Sequence, residues 1–237
     1  NTRTLTATGD IWAGAGTFDG SDADCILKMT GSNKNINYTG DEAIGHLHID
    51  AGQTTLNELT GVGTDTFTCQ SVTIDSGTTL TATSGTTTIT NKSGDYAWKN
   101  DGGTFTHNNG TVKLDTNTGN TDIHVDVKEN TFYNFEMDMN ATSHEVKLQD
   151  ADGNNAVTIL NNLTVSRGIF QSETAGDTFT IHGNTLVEAN GTFMGDANHD
   201  TNKVIHNGLV TNLGTYKIND GTTVKLNGGI RQLNTLT

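Results

Sequence analysis

GTFTHNNGTVKL, residues Gly103–Leu114, decides how this chain folds. It is a short strand ending on an aromatic, a polar Asn-Asn-Gly turn, and then a strand of the form apolar–Lys–apolar. Nearly the same wording returns at Gly214–Leu226, GTYKINDGTTVKL. A worn copy opens the chain, where Gly16-Thr17-Phe18 is followed by Ile26, Leu27, Lys28 and Met29. A chain that keeps restating strand, polar turn and strand is stacking strands on one another.

Working outward from that stretch, strands of four to six residues with period two fill the chain. Thr4–Thr8, Leu47/Ile49, Val72-Thr73-Ile74 and Thr88-Ile89-Thr90 are examples. Asn-Gly or Asp-Gly pairs punctuate them at positions 19, 101, 109, 152, 190, 207, 220 and 227, which predicts corners with positive φ. No stripe of apolar residues at i, i+3, i+4 argues for a helix. A longer period also shows: Gly103-Thr104-Phe105 lies 87 residues after Gly16, and Gly191-Thr192-Phe193 a further 88 on. Ile44, Leu47 and Ile49 are matched 88 residues later by Phe132, Phe135 and Met137.

These repeats predict an all-β chain, a parallel β-solenoid of the right-handed β-helix kind. The 87–88-residue super-repeat reads as four turns of about 22 residues, which gives about ten to eleven rungs and a rod near 50 Å at ~4.8 Å per strand. The alternative is an antiparallel β-sandwich, in which the Asn-Gly pairs would be hairpin turns. The alternation of Thr with Ile, Val, Leu or Phe favours the coil, and so does the absence of proline. At average usage about a dozen prolines are expected, and there are none. Proline lacks the N–H that a strand paired on both sides must donate. Residues 1–237 read as one solenoid domain. It starts and stops part-way through a rung, so a longer chain or a stacked, end-to-end homo-oligomer is expected.

Net charge is −14, from 13 Lys+Arg against 27 Asp+Glu, with no basic run. Nucleic acid binding and anionic membrane surfaces are disfavoured on that ground. No apolar stretch is long enough to insert in a membrane as a helix. Cys25 and Cys69 stand 44 residues apart, two turns of the coil, too far to bridge, so two free, buried thiols are expected.

Candidate chemistry is sparse. Asp22/Asp24, Glu136/Asp138 and Asp150/Asp152 each put two carboxylates on one face of a strand, as glycoside cleavage requires, or are solvated charge. Asp150, Asp152 and Asn154, with Gly153 between the last two, form a plain Asp/Gly/Asn turn or half a calcium loop, so no cofactor is expected unless that loop takes Ca2+. The distal bidentate Glu of a full loop is missing. His46 and His48 form an H-x-H on one face of a strand and suit a transition metal, with no third ligand in sight. Trp12 and Trp98, 86 residues apart, are candidate platforms for sugar rings, or else ladder residues of the coil. No GxSxG, HExxH, CxxC or P-loop occurs, and no enzyme activity is expected.

The order GTF, turn, GTVKL, then Phe132-x-x-Phe135-x-Met137, then Asn161–Phe170 (NNLTVSRGIF) resembles the repetitive β-solenoid segments of bacterial surface adhesins and of phage tail fibres or spikes. That resemblance implies a structural or adhesive component of an extracellular appendage, on a cell or virion surface, often oligomeric and binding cell-surface glycans or itself. It also carries an alternative, since related spikes are polysaccharide-degrading glycosidases or lyases.

Overall fold

A computed structural model describes residues 2–12, 24–39, 44–59, 66–90, 96–116, 122–126, 131–149, 156–172, 178–196, 203–218, 221–233 and 235–236. Among them every strand pairing is parallel. An antiparallel sandwich is thereby excluded, and the chain is an all-β parallel solenoid.

The coil visits three faces in turn. On the first, Leu5, Leu27, Leu47, Val72, Trp98, Val125 and Leu148 lie above one another in register. The second carries Ile11, Ile36 and Leu56, and later Phe132, Ile159, Ile181, His206 and Leu226. Its two strand stacks meet where the rings of Phe105 and Phe132 lie 5.8 Å apart. The third holds Phe67, Thr87, Val112, Phe135, Leu163, Thr185, Val210 and Ile230. Among the described residues this third face is eight strands deep, so the coil has about eight complete turns. Ten to eleven uniform rungs is a slight overcount. Turns run from 20 residues (Ile26 over His46) to 29 (Asp138 over Arg167), and the two N-terminal turns are described on two faces only.

The 88-residue period is not a structural unit. Four turns carry Leu5 to Trp98, 93 residues on, and four more carry Trp98 to Asp196, another 98. A step of 88 therefore slips to another face. Thr104–Thr106 runs on the second face, whereas Thr192 and Phe193 pair with Thr215 and Tyr216 on the first. Likewise Ile44 and Leu47 are on the first face, Phe132 on the second and Phe135 on the third. Gly16-Thr17-Phe18 lies outside the described residues.

What the recurring triplet marks is a corner. A Cβ on Gly191 would sit 2.2 Å from the Val165 carbonyl oxygen of the turn beneath, and one on Gly214 would sit 2.1 Å from that of Glu188. Only glycine lets the backbone descend so close. Alternation then sends Thr192 or Thr215 outward and Phe193 or Tyr216 into the core.

The core is one continuous column. Ring centroids step from Trp98 to Phe105 (4.6 Å), Phe132 (5.8 Å), Phe135 (5.1 Å), Phe170 (5.9 Å), Phe193 (5.7 Å) and Tyr216 (4.9 Å). Each contact falls in the range where aromatic pairs add about 0.5–1.5 kcal/mol beyond area burial. Cys69 belongs to this core and burial pushes its thiol up to about 12, while Cys25 is only half-buried; both are free.

Candidate functional site

Parallel stacking turns a residue in one strand into a row along the rod, and the most chemically loaded row is at one corner of the first face. Lys28, His48, Thr73 and Lys99 are in register, pointing outward. Just past the ends of these strands come Asp50, Asp75 and Asp101. Each donates its backbone N–H to the turn before: Asp50 to Met29 (3.0 Å), Asp75 to Ile49 (3.0 Å) and Asp101 to Ile74 (2.9 Å). The main chain thus holds three carboxylates one strand spacing apart, about 4.8 Å, where like charges repel.

Each carboxylate has a cationic or imidazole partner beside it. Lys28 Nζ is 2.8 Å from Asp50 Oδ1, His48 Nε2 is 3.0 Å from Asp75 Oδ2, and Lys99 Nζ is 2.8 Å from Asp101 Oδ2. The Lys28 hydrogen bond holds the Asp50 carboxyl below its ordinary range, and the Asp101 hydrogen bond raises the Lys99 ammonium. His48, Asp50 and Asp75 each offer a ligand atom, all within 4.8 Å of one another, the one such His/carboxylate grouping among the described residues. The H-x-H pair does not act together: His46 Nδ1 is bonded to Ser71 Oγ in the next turn.

The other candidates fall elsewhere. Asp150, Asp152 and Asn154 lie outside the described residues, as does Asp22. Glu136 and Asp138 face outward from the third face, and each meets a cation: Lys113 Nζ is 3.2 Å from Glu136 Oε1, and Arg167 Nε is 3.7 Å from Asp138 Oδ1. Trp98 is fully buried, its ring set edge-on to Phe105 and Phe132, which leaves no face for a sugar. Trp12 is 68% exposed on the second face, in register with Asn37 and then Asn57. That row is tied by Asn37 Nδ2 donating to Ile11 O (3.1 Å) and Asn57 Nδ2 donating to Asn37 Oδ1 (2.7 Å). It leads to a shallow polar hollow lined by Asn57, Glu58, Thr83, Ser84 and Asn108.

A second polar constellation, invisible in the sequence, is inside. His206 is buried on the second face, with Nδ1 2.8 Å from Thr185 Oγ1 on the third face and Nε2 2.8 Å from Tyr216 Oη on the first. One imidazole ties all three faces. Burial holds it neutral, pulling its pKa down to about 4, and pushes the Tyr216 phenol up. With both ring nitrogens bonded, either tautomer is satisfied, because the hydroxyls can turn. The network is a structural tie with no route to solvent substrates.

Compared with protein-family models, with curated proteins and with solved structures, the chain has no match in any of the three. What stands is the parallel β-solenoid architecture alone.

Proposed function

We propose that this chain is a structural and adhesive segment of an extracellular appendage, a rod whose sides engage cell-surface glycans. The observation that supports it best is the uninterrupted stack: one aromatic core runs from Trp98 to Tyr216, and the outward rows of Thr, Asn and paired charge are available along its length. Such a coil is close to one-dimensional, with stability added turn by turn, which suits a spacer or a stalk. End-to-end association of copies fits the same reading, since a coil of parallel turns repeats along a single axis.

Glycan contact is assigned to the second face, from Trp12 to the polar hollow. An exposed indole is a platform for the apolar face of a sugar ring, and Asn57, Glu58, Thr83, Ser84 and Asn108 supply hydrogen-bonding groups two turns along. With a net charge of −14, neutral polysaccharides are the favoured class.

Titration with a panel of neutral exopolysaccharides, followed by tryptophan fluorescence, tests this. Saturable binding that Trp12→Ala abolishes is expected, with no new reducing ends on long incubation. Turnover of polysaccharide would replace the adhesive reading with the hydrolytic one. Absence of binding across the panel, together with immunolabelling confined to the cell interior, would refute it.

A further inference from the structure

We propose that His48, Asp50 and Asp75 form a binding site for one divalent first-row cation, of which zinc is the natural probe, assembled from two successive turns of the coil. The donor set is one imidazole nitrogen and two carboxylate oxygens, a three-ligand combination that leaves a fourth position for water. Zinc bonds such atoms at about 2.0–2.2 Å, which puts ligand atoms about 3.4 Å apart around a tetrahedron. His48 Nε2 and Asp75 Oδ2 are already 3.0 Å apart, and the whole set lies within 4.8 Å, so side-chain rotation of about an ångström completes the geometry.

The backbone does the positioning. Asp50 and Asp75 are each anchored by an N–H donated to the preceding turn, and His48 precedes Asp50 by two residues in the same chain segment. The carboxylates therefore stay one strand spacing apart whether or not anything lies between them. Side chains of His48, Asp75 and Asp50 are 26%, 33% and 31% exposed, so an ion can enter from solvent.

The rows on either side sharpen the assignment. Asp50 and Asp101 are each met by an ammonium group, Lys28 and Lys99, which cannot coordinate a metal. Asp75 alone of the three is met by an imidazole, which can. A cation bound there takes the place of the contact between His48 Nε2 and Asp75 Oδ2 and draws Asp50 away from Lys28. Lys28 is thus a built-in competitor for the site.

Isothermal titration of the whole chain with zinc chloride, and with calcium chloride as a contrast, tests the proposal. One zinc per chain is expected, with calcium at least ~10-fold weaker because it takes oxygen donors. His48→Gln and Asp75→Asn should each weaken zinc by more than ~10-fold, and Lys28→Gln should tighten it several-fold by freeing Asp50. His46→Gln, whose imidazole faces Ser71, should leave it unchanged. Circular dichroism confirms that each variant retains its β fold. Zinc affinity unmoved by His48→Gln or by Lys28→Gln, calcium bound as tightly as zinc, or no saturable uptake at all would overturn the site.

Discussion

Lowering the pH from 7.5 to 5.0 should cost this coil about 2 kcal/mol through His206 alone. The imidazole is fully buried and its pKa is about 4, against 6.5 for an exposed histidine. The unfolded chain therefore takes up a proton on this residue at a pH where the folded chain refuses it. A depressed folded value means that the contribution is complete above about pH 6.5 and is lost as pH falls towards 4. At 1.36 kcal/mol per pH unit the whole window is worth about 3 kcal/mol, and the part above pH 5 about 2 kcal/mol. The upper part is the cleaner one, because the 27 carboxylates titrate mostly below it. The assay is urea unfolding followed by far-UV circular dichroism at pH 7.5, 6.5, 5.5 and 5.0. It is run on the wild type and on His206→Gln, which can keep a hydrogen bond to one hydroxyl and does not titrate. The variant should start less stable and show a pH dependence flatter by about 2 kcal/mol. Parallel pH profiles for the two proteins would refute the reasoning, and would mean that His206 is solvated or charged in the fold.

Two further predictions probe the corners and the core. Gly191→Ala places a methyl 2.2 Å from a main-chain oxygen and should destabilise by about 1–3 kcal/mol, whereas Gly9→Ala, with nothing within 4 Å, should stay within about 0.5 kcal/mol by the same unfolding assay. A thiol reagent at neutral pH should modify half-buried Cys25 and spare Cys69, whose thiol is pushed up to about 12, with the second thiol counted only after denaturation; two reactive thiols in the folded protein would contradict that burial.

Strands and corners were legible because alternation and glycine are local signals. Faces were not. Pairing requires only that the main chain regain register at the next strand, so turn length is free to vary between 20 and 29 residues, and a fixed period drawn through three triplets drifts around the coil. The two tryptophans show the same limit. Trp12 follows inward-facing Ile11 and so points out, as plain alternation predicts. Trp98 is turned inward because the ladder shifts register between Tyr96 and Trp98, leaving Ala97 and Trp98 both buried. The cation site was half visible. His48 stood out in H-x-H and Asp50 follows it two residues on, but Asp75 comes from the next turn, in the succession Leu47-His48-Ile49-Asp50, Val72-Thr73-Ile74-Asp75 and Trp98-Lys99-Asn100-Asp101. That signal is an apolar residue three before an Asp at spacings of 25 and 26, and it becomes meaningful only once those turns are known to stack. His206 had a weaker mark: in Lys203–His206 the alternation assigns it an inward slot. Its partners Thr185 and Tyr216 come from the other two faces, which no local pattern reveals.

Successive turns in parallel register are the foundation of all of this, and a disulfide trap reads them directly. Thr158 and Thr180 are outward-facing neighbours on the second face, one turn apart in register. At the strand spacing of about 4.8 Å their Cα atoms fall inside the range a disulfide spans. With Cys25 and Cys69 replaced by Ser and Ala, the Thr158→Cys/Thr180→Cys protein should close a bond quantitatively under mild oxidation, seen as a loss of two hydrogens in the intact mass. Persistence of both free thiols in the folded, oxidised protein would contradict the stacked coil.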